Sequence, residues 1–121
     1  MAIQSIVGEK SLAFGKRIAK CYRYLRYSKK EHILSNQLLR SGTSIGANIR
    51  EGLYAQSRKG FINKLNIALK ESAETDYWLD VIRVADYLTE EEYASLKKDN
   101  DELLRLLASI VKKTKSNDSQ S

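Results

Sequence analysis

Residues 38–52 read LLRSGTSIGANIREG, from Leu38 through Gly42, Gly46 and Asn48 to Gly52. Three glycines and two serines suggest a loop, but the spacing is helical. Leu34, Leu38, Ser41, Ile45, Asn48 and Gly52 follow one another at alternating steps of four and three. Leu39, Gly42, Gly46, Ile49 and Leu53 do the same one position later. Two adjacent stripes make one broad buried face. A glycine inside a helix costs about 1 kcal/mol against alanine. A helix that carries three of them gains something from the missing side chains, and close approach of a neighbouring helix is that gain. The alternative is a flexible Gly/Ser connector between shorter helices, and the leucine and isoleucine period argues against it. The stretch therefore reads as the central, tightly packed helix of a bundle.

The flanking chain supplies three further amphipathic segments. Helix one is expected from about residue 3 to residue 28, with Val7, Ser11, Phe14, Ile18, Cys21 and Leu25 as a heptad core stripe. A short turn near Ser28 to Glu31 leads into helix two, which ends near Ala55, and so brief a link favours antiparallel neighbours. Glu31 suits the positive end of helix two, and His32 reads as a capping or surface histidine. Asn48 lies in the core stripe of helix two, where a buried amide needs a partner and often sets helix register. Gln56 to Gly60 makes the next turn, with Ser57 as N-cap. Helix three is expected from about Lys59 to Asp86, with Phe61, Leu65, Ala68, Ser72, Thr75, Leu79 and Ile82 in one stripe. Ile67, Trp78, Val81, Ala85 and Leu88 mark a second apolar face. Either this helix is central or the second face meets another subunit, for which Trp78 is the best anchor. Thr89 and Glu92 form a capping box that opens helix four. Tyr93, Leu96, Asn100, Leu103, Leu107 and Ile110 form its core stripe, widened by Leu104, Leu106 and Val111. The expected organisation is one all-α domain, an antiparallel up-down four-helix bundle over residues 1–115, with 116–121 as a disordered polar tail.

Composition agrees. The 121 residues contain no proline, where average usage would give about six. One cysteine, Cys21, forms no internal disulfide, and with a single histidine it offers no zinc spacing. No run approaches the roughly 18 apolar residues of a membrane span, and no signal-peptide pattern opens the chain. A cytoplasmic bacterial-type protein is the expectation. The net charge of +6 is unevenly distributed: residues 1–30 carry eight basic residues against Glu9 alone. Such asymmetry points to a partner surface. Lys16, Lys20 and Arg23 share one face of helix one, flanked by Arg17 and Arg26 and followed by Lys30. From Lys16 to Lys30 is about 20 Å of helix, enough to follow several phosphates. Tyr22, Tyr24 and Tyr27 are interleaved with these cations and either stack on bases or pack the edge of the bundle.

Residues 38–52, together with AQSRKGFINKLNIALKESAETDYWLDVI at 55–82, resemble the bacterial four-helix-bundle family of 23S rRNA intervening-sequence proteins. A more distant similarity is to the accessory variability protein of diversity-generating retroelements. The resemblance runs from about residue 5 to about 111 and is strongest over 38–82. It implies a small helical bundle assembled as a ring-like homopentamer and associated with nucleic acid. It also makes Arg50 and Glu51 candidates for ion pairs between helices or subunits, the alternative being a solvated pair worth little.

The sequence holds no nucleophile elbow, Walker loop or dinucleotide fingerprint. Gly42 and Gly46 have the spacing of membrane helix pairs, but Arg40, Arg50 and Glu51 exclude that use. Glu51, Glu71 and Glu74 lack the Glu-x-x-His partners of a di-metal bundle, so no metal or cofactor is expected. A non-enzymatic nucleic-acid binder, with RNA favoured, is the leading expectation. Its contacts would come from Lys16, Arg17, Lys20, Arg23, Arg26 and Lys30, and its packing or oligomer contacts from Gly42, Gly46, Asn48, Arg50, Glu51 and Trp78. The alternative is a protein-interaction module that docks a partner such as a reverse transcriptase.

Overall fold

The computed structural model describes residues 3–120. They form four helices: α1 (Ile3–Arg23), α2 (Ile33–Leu53), α3 (Arg58–Val84) and α4 (Glu90–Gln120). Each packs against its neighbours in the chain, and α1 closes the ring against α4. The links are too short for anything but antiparallel neighbours, so the up-down bundle expected from the heptad stripes is the observed fold. The expected stripes are its interior. Val7, Ser11, Phe14 and Ile18 are buried on α1, Leu25 just beyond its end, and Leu65, Ala68, Ser72, Thr75, Leu79 and Ile82 on α3. Leu96, Asn100, Leu103, Leu107 and Ile110 are buried on α4.

Helix α2 is the hub, because its small residues admit a helix on each flank. A methyl group on Gly42 would lie 2.9 Å from both Cγ1 and Cγ2 of Ile18. On Gly46 it would lie 3.3 Å from the carbonyl oxygen and the hydroxyl of Ser11. These two glycines bring α1 close. On the other flank, a methyl on Gly52 would lie 3.0 Å from Leu65 Cδ1. Three turns earlier on α2, Thr75 Oγ1 donates to Ser41 Oγ at 3.0 Å, deep between α2 and α3. Both buried hydroxyls are thus partnered, as burial requires.

Several details differ from the sequence-based expectations. Asn48 is only half-buried and donates to the carbonyl of Ser44 in its own helix at 2.8 Å. At 100° per residue it sits about 60° around the helix from Ile45, at the edge of the buried face. The asparagine that joins two helices is Asn100. Its Nδ2 donates to the Ser72 carbonyl, and its Oδ1 accepts from the Ser72 hydroxyl, each at 2.9 Å. Leu53 is 42 % exposed, because α2 ends there and no helix covers its outer side. Helix α4 continues to Gln120, past the expected end at residue 115, since no glycine or proline interrupts it. Residue 121 lies outside the described residues. Tyr24–Ser28, expected as ordinary helix, form a π-helical turn. Lys29 N–H reaches Tyr24 O at 3.2 Å, and Lys30 closes the turn with a left-handed φ of 58°.

The helix starts follow the sequence closely. Glu31 accepts from the backbone N–H groups of Ile33 and Leu34 at 3.0 Å and of Ser35 at 2.7 Å. One carboxylate thus satisfies three of the four orphan donors of α2. Ser57 Oγ accepts from Gly60 N–H at 3.0 Å, and Thr89 and Glu92 bond reciprocally at 2.9 and 3.1 Å.

Two stability predictions follow from this geometry. Gly42→Ala is expected to cost about 1–2 kcal/mol, because overpacking against Ile18 exceeds the gain in helix propensity. In an Ile18→Ala background the same change should become neutral or stabilising. Chemical denaturation of the four proteins measures that coupling. For Glu31, desolvation alone would raise the carboxyl pKa, but the hydrogen bonds from Ser35, Leu34 and Ile33 hold it below the usual glutamate value. A depressed folded-state value means that the stabilisation is present above the unfolded pKa and is lost as pH falls through the folded one. Glu31→Gln should therefore cost about 1 kcal/mol at neutral pH, as lost caps do. The difference from the unsubstituted protein should close below about pH 4, read from denaturation midpoints across pH.

Candidate nucleic-acid interface

Because Phe14 and Ile18 face the core, the opposite side of α1 must face water. Lys16, Lys20 and Arg23 lie about 140–200° around the helix from Ile18, and all three are exposed. They form an outward basic stripe. Glu9 lies on the same line toward the start of the helix, so the stripe is free of carboxylates only from Lys16 onward.

Arg17 does not belong to the stripe. It is half-buried and turned toward α4, where Nη1 donates to Asp99 Oδ2 at 2.6 Å and Nη2 to Ser95 Oγ at 2.8 Å. Lys10 makes a parallel pair with Glu102 at 3.0 Å. These two cations hold the narrow α1–α4 seam, and Arg17 is spent there. Sequence spacing did not reveal this, because the carboxylates lie about 80 residues away in the chain.

The basic line continues into the π-helical turn. Arg26 is half-buried, with its guanidinium 6.0 Å from the Tyr22 ring centre and 5.9 Å from that of Tyr27. Lys29 lies 5.8 Å from the Tyr24 ring centre, and Lys30 is exposed beside it. Nothing in the sequence marks Lys29, because a residue five after Tyr24 comes beside it only in a π-helical turn.

Gly42 and Gly46 are internal packing residues between α1 and α2. Glu51 pairs across to Lys64 of α3 at 3.1 Å, not to its neighbour Arg50. Arg50 is exposed and makes no ion pair among the described residues. Trp78 is half-buried against the core, and its indole N–H donates to Glu74 Oε2 at 2.9 Å. Glu74 also receives Arg40, which reaches Glu71 at 3.3 Å. Trp78 is thus part of a network that ties α2 to α3. Its ring also meets Tyr77 edge-on, with centroids 4.9 Å apart.

A groove of about 730 Å³ runs between the outer edges of α1 and α2. Its floor is made of small residues, Gly8, Gly15 and Ala19 facing Gly46 and Ala47. Leu12, Leu53 and Tyr54 stand exposed at its rim. The seven-residue step from Gly8 to Gly15 was the sequence signal for it. A second, smaller hollow between α1 and α4 contains Cys21. Burial, with a contribution from Glu92 and against that of Arg17, pushes the Cys21 thiol up to about 11. At neutral pH it is a thiol, not a nucleophilic thiolate. Among the described residues no helix is long and apolar enough to cross a membrane, and no three His, Cys, Asp or Glu side chains gather as a metal set.

Residues 4–109 match the family model described as 23S rRNA-intervening sequence protein. A crystal structure of a protein of unknown function from the S23 ribosomal protein family of Bacteroides thetaiotaomicron VPI-5482 is 52 % identical, with a TM-score of 0.90. The similarity covers 92 % of this chain and 99 % of that one. No curated protein matches the chain. A match over nearly the whole bundle, with the same helices in the same order, places this chain in the 23S rRNA-intervening sequence protein family.

Proposed function

We propose that this chain is a non-enzymatic, nucleic-acid-binding accessory protein with RNA as its favoured partner, acting as a homo-oligomer. The observation that carries this is the outward stripe of Lys16, Lys20 and Arg23, continued by Arg26 and Lys30 at the tip of the bundle. It lies opposite the core of α1, and none of the three stripe cations is paired to a carboxylate among the described residues. The family's name supports an association with ribosomal RNA. Contacts of this kind go to phosphates, so binding depends on salt and only weakly on sequence. On an A-form duplex they report shape. Repetition around an oligomer multiplies modest contacts.

The groove between α1 and α2 supports the oligomeric part. A floor of small residues admits a helix at close range, and the apolar rim of Leu12, Leu53 and Tyr54 stands exposed among the described residues. We assign that place to a second copy. The same groove favours a second reading, a protein-interaction module that seats a partner such as a reverse transcriptase.

Replacing Lys16, Lys20 and Arg23 together by alanine should leave the melting temperature unchanged, because all three are solvated. It should reduce the slope of log K against log salt by about 2–3 on an RNA duplex. Fluorescence anisotropy at four salt concentrations measures both affinity and slope. An unchanged slope would move the binding surface elsewhere. Ala47→Arg places a charge on the groove floor at an exposed position. Light scattering should then report the 13.8 kDa monomer in place of a larger assembly.

A further inference from the structure

Tyr22, Tyr24 and Tyr27 occur within six residues, and none is a member of the buried core cluster. Only Leu25 of this segment enters the interior. Tyr27 is 62 % exposed and Tyr24 38 %. Tyr24 also lines the hollow between α1 and α4, so edge packing, the commoner use of tyrosine, covers part of its ring and leaves the rest, with most of Tyr27, in water. Folding leaves aromatic surface in water at the same tip where Arg23, Arg26, Lys29 and Lys30 converge. We propose that the π-helical turn at the end of α1 is a stacking site for unpaired bases, and that the bound RNA is one with loop or single-stranded nucleotides. This rests on the basic stripe being the nucleic-acid surface.

Four observations support it. First, the rings are held by cations: Arg26 spans Tyr22 and Tyr27, and Lys29 lies over Tyr24. Cation–π contact limits ring motion and leaves charge beside each ring for the phosphate of a stacked nucleotide. Second, the nearby carboxylates are already occupied. Glu31 is bonded to three backbone N–H groups of α2, and Glu92 closes the capping box of α4. Neither makes an ion pair with the tip cations among the described residues. Third, the turn itself is irregular, a π-helical segment ended by a left-handed lysine. At π-helical spacing, residues five apart come onto one side of the turn, as Tyr24 and Lys29 do. Fourth, the stripe and the tip lie in line on one helix. Stem phosphates along Lys16, Lys20 and Arg23 would lead a loop onto Tyr24 and Tyr27. A paired duplex offers these rings nothing, because its bases are stacked on one another. Unstacked bases present their faces to aromatic side chains whatever their sequence.

The test compares three RNA probes of equal phosphate number by fluorescence anisotropy: a hairpin with an unpaired loop, an unstructured single strand and a blunt duplex. The proteins are the unsubstituted chain, Tyr24→Ala/Tyr27→Ala and Tyr27→Phe. Helical content and melting temperature establish that each variant folds. The unsubstituted protein should prefer the hairpin and the single strand to the blunt duplex. The double alanine variant should lose about tenfold or more in affinity for those two, with duplex affinity and salt slope unchanged. Tyr27→Phe should retain binding, because stacking does not need the hydroxyl. Equal loss on all three probes, or loss on none, would overturn the stacking site while leaving the basic stripe intact. Absence of binding to every probe at low salt would overturn both the stripe and the stacking site.

Discussion

The bundle depends on the close approach of α1 to α2 at Gly42 and Gly46. Ile18 sits where the Gly42 side chain would be, and the Ser11 backbone lies against Gly46. Close contact there makes α2 the hub, with α1 on one flank and α3 on the other. It also determines the rotation of α1 about its own axis. Once Phe14 and Ile18 point inward, Lys16, Lys20 and Arg23 point out. The interior seam and the exterior charge are two consequences of one packing event.

The cations of α1 are sorted by what they face. Those toward α4 find carboxylates, as Arg17 does with Asp99 and Lys10 with Glu102. These pairs are partly exposed, and pairs of that kind contribute about 0–1 kcal/mol each. Their main effect is to orient the smallest interhelical seam and to remove two charges from the free surface. The α3–α4 seam is tied in the same way, with Lys97 meeting Asp80 at 2.7 Å and Tyr93 donating to the same carboxylate. The α1 cations that face water, Lys16, Lys20 and Arg23, have no such partner among the described residues, and the positive excess of the first 30 residues is concentrated on that outward side.

Two surfaces are therefore left over after folding, and they differ in kind. The outward stripe is a set of point charges suited to phosphates, and the tip beyond it adds rings. The α1–α2 groove has a small-residue, largely apolar floor suited to a helix, edged by Glu9, Arg50, Glu51 and Lys16, the last shared with the stripe. Both lie on α1, so an oligomer built through the groove would repeat the stripe at every copy. That coupling is the physical content of a binding protein that works as an assembly.

Helix positions, core stripes and caps were legible in the sequence because they are local. A heptad spacing, a Thr-x-x-Glu box or a glutamate ahead of a helix acts within a turn or two of itself. The stripes on α1, α3 and α4 were accordingly found buried. What only the tertiary structure decided involves distant partners. Arg17 looked like one more cation of a basic face until Asp99 and Ser95 were brought beside it. Asn48 stood in a core stripe, but a 60° offset left it at the edge, while Asn100 met Ser72 across the interior. Trp78 read equally as an interface anchor or a core tryptophan, and only the structure brought its indole N–H to Glu74, itself shared with Arg40. The π-helical turn carries no sequence signal, since it depends on where α1 must stop for α2 to return. Period and capping belong to neighbours in the chain. The pairing of charges, and which aromatic rings remain in water, belong to neighbours in space.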